Sequence, residues 1–406
     1  MTMQRLNVLA LTLCVGMAVA HDAEAAIRVV TYNTSVSGAG VIPPKAGFDT
    51  LMKAIGDHHL AGNAQPIDVL GLQELDGTQS VFGINSATLP YIVSQLNAIY
   101  GAGTYAADNV KDPTTGGTGG GPNGLVYNTH TVQVLESKVI GTVSGSGIAR
   151  APMRYKLRPV GKGADADFYF YVVHYKASSD ATSKNRRNIE STAIRADADS
   201  LGSSAHIIYA GDFNFTSGRS ETAWTTLVAP GPAQAVDSMN PAGTWTNTSS
   251  FRALMTESAT TTDIRFDFQL VTSPVLNQQG VQLVPGTMET FGNNGTHAFA
   301  TSVTSAANTA LADLPNRSTI LSLLTTVSDH LPVVADYVYV GPACPADLNG
   351  DTFVDDADFV IFAAAYESLL CPASPAACPA DLNADTFVDD ADFVVFAAAY
   401  NVLVCP

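Results

Sequence analysis

The 406-residue sequence has little positive charge for its length. Lys and Arg number 20 against 37 Asp and Glu, which gives a net charge of −17. This balance argues against nucleic-acid binding through a broadly basic surface. Charged residues make up only 14% of the chain and hydrophobic residues 46%, so the composition provides ample material for a core and excludes global disorder.

Several catalytic signatures are also missing. There is no G-x-S-x-G segment, which argues against a serine hydrolase of the nucleophile-elbow type. There is no H-E-x-x-H segment, so a helix-borne zinc site of that class is excluded. A glycine-rich stretch at 116–121 lacks a following Gly-Lys-Ser/Thr, and we interpret it as a flexible rim loop instead of a phosphate cradle.

Long apolar runs are absent after the first 25 residues, where no stretch reaches the roughly 18 uninterrupted residues of a membrane helix. Residues 1–25 contain one basic residue, Arg5, an apolar run over 6–20, and small-residue cleavage patterns at 18–20 and 23–25. This layout is typical of a secretory signal peptide. A transmembrane anchor is the weaker alternative, because the run is short and acids follow it. We therefore predict a secreted, extracellular mature chain without a transmembrane segment.

The last part of the chain is a duplicated acidic module. Residues 341–406 contain no Lys or Arg and eleven acids. Residues 344–372 recur at 378–406 with an offset of 34, and only five of the 29 aligned positions differ. Such a repeat is one supersecondary unit used twice. Four of the five cysteines flank the repeats in register, and we favour the pairs Cys344–Cys371 and Cys378–Cys405 among the three possible connectivities.

Each repeat spaces oxygen-bearing side chains as a twelve-residue calcium loop does. The predicted ligands in the first copy are Asp347, Asn349, Asp351, the Phe353 carbonyl, Asp355 and Asp358. Those in the second copy are Asp381, Asn383, Asp385, the Phe387 carbonyl, Asp389 and Asp392. An apolar stretch follows each loop, over 359–366 and 393–400, and predicts the exiting helix.

This tail, residues 344–406, resembles a dockerin, the calcium-loop duplication that docks secreted enzymes onto cohesin partners. The resemblance implies a small helical module that binds Ca²⁺ and a cohesin-like partner, which could hold the protein at a cell surface. Two features depart from it: Thr352 and Thr386 occupy the loop position where glycine is usual, and cysteines bracket each repeat. The alternative is a surface module, or a module for stability, whose structure is held together by bound Ca²⁺.

The region between these segments, residues 26–340, alternates short β-rich runs with helical stretches. Predicted strands cover 27–32, 69–72, 124–127, 168–174, 206–210, 266–271 and 331–340. Predicted helices cover 48–55, 91–99 and 186–201. Interleaved strands and helices of this kind favour an α/β (α+β) fold of two stacked sheets flanked by helices.

Polar residues fall repeatedly at the ends of the apolar strands. They are Asn33, Gln73 with Glu74, His174, Asp212 with Asn214, and Asp329 with His330. Any one of them could be an ordinary turn or cap residue. Five strand ends that each carry a metal-ligand or acid–base residue type indicate a site where the strands converge.

The segments RVVTYN, VLGLQEL, FYVVHYKA, YAGDFNF, RFDFQLV and SDHLPVVADY follow one another over residues 27–340. Together they resemble the ordered motifs of the endonuclease/exonuclease/phosphatase superfamily. The resemblance implies a deoxyribonuclease-like two-sheet sandwich that hydrolyses phosphoesters with a divalent cation, Mg²⁺ or Mn²⁺.

The resemblance also assigns roles. Glu74 would hold the cation with Asn33 beside it, since carboxylate and amide oxygens suit hard cations. His330, oriented and kept basic by Asp329, would be the general base for water. Asp212 would position or activate the nucleophile.

Further roles follow from the same motifs. Asn214 would donate hydrogen bonds to the phosphoryl group, and His174 would contact the phosphate or assist the leaving group. Asp267 would orient the second histidine or contribute to the metal site. Weaker candidates are Arg150 and Arg265 as phosphate clamps or surface ion-pair partners, and His297 as a lining residue. We interpret the adjacent His58 and His59 as a solvated helix end.

These inferences predict a secreted, metal-dependent phosphodiester hydrolase, with an extracellular nuclease as the first choice. A phosphatase or phospholipid phosphodiesterase of the same fold is the runner-up. A non-catalytic, calcium-dependent scaffold or adhesion protein is the alternative from another class.

Overall fold

The computed structural model describes residues 26–35, 43–75, 88–108, 121–239, 245, 247–277, 279–341, 344–349, 353–369, 378–383 and 385–401. Those from 26 to 341 form one compact unit, and those from 344 to 401 form another. The predicted signal peptide, Asp351, Cys371 and Cys405 lie outside the described residues, so the signal, that ligand and the disulfide pairing stay predictions. In the parts described, no helix has the length and apolar character needed to cross a membrane.

The larger unit contains twelve described strands and five longer helices. The strands are β1 Ile27–Asn33, β2 Val69–Gln73, β3 Tyr105–Ala107, β4 Gly124–Asn128, β5 Val132–Val139, β6 Met153–Pro159, β7 Phe168–His174, β8 His206–Asp212, β9 Asp267–Val271, β10 Gly280–Leu283, β11 Glu289–Thr290 and β12 Val333–Val340. The helices are α1 Phe48–Asp57, α2 Thr88–Tyr100, α3 Ala181–Asp199, α4 Thr222–Val228 and α5 Arg317–Val327.

The strands form two mixed sheets. The first is seven-stranded, in the order β10-β12-β1-β2-β4-β3 with β11 against β12. The second is five-stranded, in the order β5-β6-β7-β8-β9. Each sheet has one parallel pair at its centre, β1 with β2 and β7 with β8. The carboxyl ends of paired parallel strands lie side by side, which places the polar residues that follow them together.

Three buried apolar clusters hold these layers together. The middle cluster lies between the sheets and includes Val69 of β2 and Phe170 of β7. The outer clusters pack α1, α2 and α5 on the first sheet, and α3 and α4 on the second. The predicted two-sheet sandwich flanked by helices is confirmed.

Gly71 sets how closely the two sheets approach at their centre. It lies in the middle of β2, and a Cβ atom added there would meet ring carbons of Phe170 at 2.8 Å and Val172 at 3.0 Å. Those distances are shorter than real side-chain contacts allow, since protein interiors are already close-packed. A side chain at position 71 would therefore require the Phe170 side chain or the backbone around it to shift.

The elements that the sequence did not predict are the less hydrophobic ones. β6 alternates buried Met153 and Leu157 with basic residues, and Arg154 pairs with Asp197 at 2.8 Å on the outer face. That alternation with a period of two is a strand signal, but the basic residues obscure it. α5 is rich in Ser and Thr, which are poor helix formers, and its buried leucines hold it on the core.

The interpretation of the adjacent histidines was wrong for His58 and held only for His59, which is exposed. The His58 side chain is buried after α1, with Nδ1 2.8 Å from Asp313 and Nε2 3.0 Å from Glu289. Burial opposes the charged form, but the two carboxylates outweigh it and raise the pKa of His58 above its ordinary value. A charged imidazole thus joins three segments that are distant in sequence.

We expect His58→Gln to destabilise the larger unit mainly at low pH. Because the folded-state pKa of His58 is raised, its contribution is full below the ordinary histidine pKa of about 6.5 and is lost as pH rises through the folded-state value. The two charge-assisted, partly exposed hydrogen bonds of His58 should contribute about 1–2 kcal/mol to the free energy of unfolding at pH 5.5. Urea unfolding of both proteins at pH 5.5 and pH 9 measures this. A stability difference that does not shrink with rising pH would contradict it.

The smaller unit contains two helices of equal length, α6 Asp356–Tyr366 and α7 Asp390–Tyr400, as the apolar stretches predicted. Their phenylalanines Phe362 and Phe396 stack at a centroid distance of 4.9 Å in the middle of a small core. Tyr366 donates to Asp390 of the other repeat, and the equivalent tyrosine of α7 donates to the equivalent aspartate of α6. The repeats therefore make reciprocal contacts.

The predicted calcium loops carry a repeated hydrogen-bond pattern. Asp358 and Asp392 are fully buried. One oxygen of Asp392 accepts from the backbone of Leu382 and Asn383 at 2.7 and 3.0 Å, and Asp358 repeats this in the first copy. Asp355 and Asp389 cap the helices. Carboxylate oxygens of Asp381, Asp385 and Asp392 lie within 4.8 Å of one another, as ligands of one cation would. Thr386 adopts the left-handed φ of +79° that glycine usually provides.

Candidate active site

The two parallel strand pairs bring four polar side chains to one place. Asn33 ends β1 and Glu74 follows β2 in the first sheet, while His174 and Asp212 end β7 and β8 as register partners in the second. The Asn33 Nδ2 atom lies 3.2 Å from both Glu74 Oε1 and Asp212 Oδ2. The cluster therefore forms across the gap between the sheets, as the strand ends predicted.

His174 lies in the second-sheet half of this cluster and is almost fully buried. Its Nε2 atom is 3.5 Å from Asp212 Oδ2 and 3.7 Å from Glu74 Oε1. Burial, reinforced by the positive charges of Arg150 and His330, holds the pKa of His174 well below its ordinary value. The ring is therefore neutral at physiological pH and can accept or donate one hydrogen bond at Nε2.

His330 approaches the cluster from the segment before β12. Its Nδ1 atom is 2.8 Å from Asp267 Oδ2, and its Nε2 atom faces Asp212 at 3.9 Å. Burial disfavours the imidazolium, but the carboxylates of Asp267 and Asp212 outweigh it and raise the pKa of His330 well above its ordinary value. The ring is held by one carboxylate and aimed at another, an arrangement typical of a catalytic histidine.

The carboxylate that holds His330 is not the one that the sequence analysis assigned to it. We predicted Asp329 as the residue that orients His330, but the hydrogen-bond partner of its Nδ1 atom is Asp267, which lies at the start of β9 and is fully buried. Asp329 is exposed. Asp267 is therefore the carboxylate that holds His330.

Asp212 is at the centre of the charged groups. Burial is the main cause that raises its pKa well above the ordinary value; His330 opposes this, and the carboxylates of Asp267 and Glu74 add to it. Its Oδ1 atom accepts from the backbone N–H of Asn214 at 2.9 Å. Asn214 adopts a left-handed φ of +49°, and its side chain donates to the Tyr175 carbonyl at 3.2 Å.

The donor set fits a divalent cation. Carboxylates of Glu74 and Asp212 converge on one amide group, and crowding of like charges disfavours their joint ionisation without a counter-charge. Hard oxygen donors of this type are those that Mg²⁺ and Mn²⁺ prefer. Glu74 itself has a left-handed φ of +54°, so the backbone there is held away from its usual conformation.

The sequence analysis missed Glu257. Ligand atoms of Glu257, Asp329 and His330 lie within 4.8 Å of one another, and the Glu257 Oε2 atom is buried without a hydrogen-bond partner among the described residues. Burial raises the pKa of Glu257 to about 7, although His330 opposes the shift. Glu257 does not follow an apolar strand, so its position depends on a bond between the Leu331 N–H and the Thr256 carbonyl at 2.7 Å.

The three weaker candidates differ in position. Arg150 is buried beside the cluster, where its Nη1 donates to the Tyr175 carbonyl at 2.8 Å and its charge acts on Asp212. Both terminal nitrogens of Arg265 bind Asp237, at 2.7 and 3.1 Å, so this guanidinium is a buried ion-pair partner and not a phosphate clamp. His297 is buried with its Nε2 3.1 Å from the Thr262 hydroxyl, and no described contact joins it to the cluster.

Solved structures are similar to this chain at low identity. The catalytic domain of human Nocturnin with bound sulfate is 16% identical, with 78% of this chain and 95% of that chain covered and a TM-score of 0.45. An endonuclease/exonuclease/phosphatase protein from Bacteroides vulgatus is 15% identical, with 78% and 100% covered and a TM-score of 0.45. A mannosyl-6-phosphatase from Bacteroides thetaiotaomicron is 13% identical, with 77% and 100% covered and a TM-score of 0.43.

Sequence comparison gives the family directly. No curated protein matches the chain significantly. The model of the family described as "Endonuclease/Exonuclease/phosphatase family" matches residues 30–342, more than three quarters of the sequence. This range contains every residue of the cluster around Asp212. The chain therefore belongs to the endonuclease/exonuclease/phosphatase family, whose members are hydrolases that act on phosphoesters.

Proposed function

We propose that the protein is a secreted, metal-dependent phosphodiester hydrolase, and that its substrate is nucleic acid. One observation carries the hydrolase part: Asn33, Glu74, His174, Asp212 and the Asp267–His330 pair converge from both sheets within hydrogen-bonding or ion-pairing distance. Phosphoester hydrolysis needs neutralised phosphoryl charge, a deprotonated water and a stabilised leaving oxygen. The cluster offers groups for each.

Glu74, with Asn33 beside it, would hold a Mg²⁺ or Mn²⁺ ion, and the nearby Asp212 carboxylate would act on the attacking water. When bound, the ion neutralises charge on the phosphoryl and leaving oxygens. The Asn33 amide keeps the two carboxylates 3.2 Å from a single atom, so the oxygens are already gathered before the ion binds. This preorganisation lowers the cost of assembling the site.

The raised pKa of His330 favours a donor role over the general-base role first assigned to it. As an imidazolium held by Asp267, it presents its Nε2–H toward Asp212 and the space beside it, where it can bind a phosphoryl oxygen. Asp212 lies between the Nε2 atoms of His174 and His330, at 3.5 and 3.9 Å, and is the carboxylate placed to accept the proton of the attacking water. Neutral His174, 3.5 Å from Asp212, can orient that water.

An assay of the purified chain tests this proposal. Plasmid DNA, RNA, bis(p-nitrophenyl) phosphate, p-nitrophenyl phosphate and sphingomyelin are incubated with Mg²⁺ or Mn²⁺, with and without EDTA. We expect EDTA-sensitive cleavage of the nucleic acids and of the synthetic diester. Cleavage restricted to the monoester or the lipid would favour the phosphatase or lipid alternative. Hydrolysis that chelation leaves unchanged, or no hydrolysis, would refute the proposed mechanism.

We further propose that the smaller unit binds two Ca²⁺ ions and docks a cohesin-like protein. Support comes from the gathered oxygens of Asp381, Asp385 and Asp392 and from the repeated loop pattern. The exposed apolar side chains Val360 and Val394, 67% and 68% exposed, lie at equivalent positions of the two helices and would face the partner. Exposed apolar side chains in register are typical of an interaction surface.

Isothermal titration of the intact protein should detect two Ca²⁺ sites, and the double variant Asp381→Asn with Asp385→Asn should remove one. The reason is that calcium needs six to eight oxygen ligands, and charge loss at two of them weakens a site strongly. Asp390→Asn is the matched control, because this acid is at a loop position without a predicted ligand role and accepts a hydrogen bond from Tyr366. Two intact sites in the double variant, or none in the wild type, would contradict the prediction.

A further inference from the structure

We infer that a polar cavity beside the candidate active site binds the phosphorylated sugar that neighbours the scissile phosphate. This inference deepens the proposed function and rests on it. The cavity has a volume of about 260 Å³. Its lining includes Ser35, Lys45, Ser258, Thr260, Ser328 and Asp329.

The cavity wall is built from the same segments as the catalytic cluster. Ser328 lines the cavity, and its hydroxyl donates to the Asn33 carbonyl at 2.7 Å and accepts from the His330 N–H at 3.1 Å. Asp329 lines it too and lies in the group with Glu257 and His330. The cavity is therefore a neighbour of His330, within reach of the part of a substrate that adjoins the reacting phosphate.

The charges of the lining differ between its members. Lys45 is the one cation among the described lining residues, and its Nζ lies 3.5 Å from the Ser35 hydroxyl. Among the same described residues, Asp329 is the one carboxylate. An ammonium binds phosphate oxygens, a carboxylate accepts from sugar hydroxyls, and serine and threonine hydroxyls do both. The set matches a ligand that carries both a phosphate and free hydroxyls.

The lining also excludes other parts of a substrate. None of the described lining residues is aromatic, so a nucleobase would find no stacking surface there. Ala259 is the one apolar residue of that lining, which is too little for an acyl chain. Recognition of sugar and phosphate without the base implies cleavage with little base preference.

Binding without turnover tests the inference. In EDTA, calorimetry compares two uridine dinucleotides, one phosphorylated at both ends and one without terminal phosphates. Lys45→Gln removes a charged hydrogen bond, so it should raise the Kd of the dinucleotide with terminal phosphates about ten-fold. The Kd of the dinucleotide without terminal phosphates should stay within about two-fold of the wild-type value. Lys45→Arg should restore most of the affinity. Lys53→Gln is the matched control, since Lys53 is exposed on α1 and pairs with Asp57.

The outcomes separate the two proposals. Equal binding of both dinucleotides by the wild type, or unchanged binding in Lys45→Gln, overturns the cavity inference even if hydrolysis is observed. Selective binding that depends on Lys45 supports it even if no ester is cleaved, in which case only the hydrolase proposal fails.

Discussion

Replacement of His330 by Gln should lower kcat/KM for bis(p-nitrophenyl) phosphate by about a thousand-fold, within the range that acid–base groups contribute. The variant keeps a polar side chain of similar size but loses the cation that Asp267 and Asp212 stabilise. The expected effect is on kcat more than on KM, because the imidazolium acts on charge that develops in the transition state. Stopped assays at saturating Mg²⁺ measure both constants.

The Asp267→Asn variant makes this prediction sharper. If Asp267 acts only by holding His330, the double variant should be no slower than His330→Gln alone, since residues that work as a unit are not additive. His130→Gln is the matched control, because this histidine is exposed in the turn after β4. Additive losses in the double variant, or a full-rate His330→Gln enzyme, would reject the assigned roles.

Glu74→Gln should reduce hydrolysis at low Mg²⁺ by about a hundred-fold or more, with partial recovery as Mg²⁺ is raised. The substitution removes one of the two carboxylates that meet at the Asn33 amide, so the cation loses charge and a ligand while the shape of the site is retained. The measurements are rate against Mg²⁺ concentration and Mn²⁺ binding by electron paramagnetic resonance.

A matched control for this change is available on the second sheet. Glu136 is half exposed on β5 and pairs with Arg154, so Glu136→Gln should bind Mn²⁺ as the wild type does. Normal Mn²⁺ binding in Glu74→Gln, together with a normal Mg²⁺ dependence, would move the metal site elsewhere. The region around Glu257 and Asp329 would then be the next to test.

The strand ends show how far sequence reasoning reached. Asn33, His174 and Asp212 could be predicted because each follows a continuous apolar strand, and such strands end on a shared edge. Arg265 could not be separated from a phosphate clamp, since only the fold reveals Asp237 opposite it. The polar residues of a strand end carry a strong signal, whereas an isolated charge carries little.

Contacts between distant segments explain the errors. Asp329 precedes His330 in the chain and was given the orienting role, but the hydrogen-bond partner of Nδ1 is Asp267, which is 63 residues away in sequence. Glu257 lies on no strand, so nothing in its surroundings marked it. His58 follows a helix end whose sequence is like that of an exposed helix end. The two acidic residues that bind its side chain, Glu289 and Asp313, are distant in sequence.

Gly71 affects how the spacing of the residues in the candidate active site could change. Each sheet supplies half of the residues in the cluster around Asp212. The distance across the cluster therefore depends on the thickness of the apolar core between the two sheets. A single methyl group at position 71, about ten ångströms of chain from Glu74 at roughly 3.3 Å per residue, would press on the Phe170 ring of the other sheet. Substitutions at residues that do not contact a substrate can therefore change the geometry of the candidate active site.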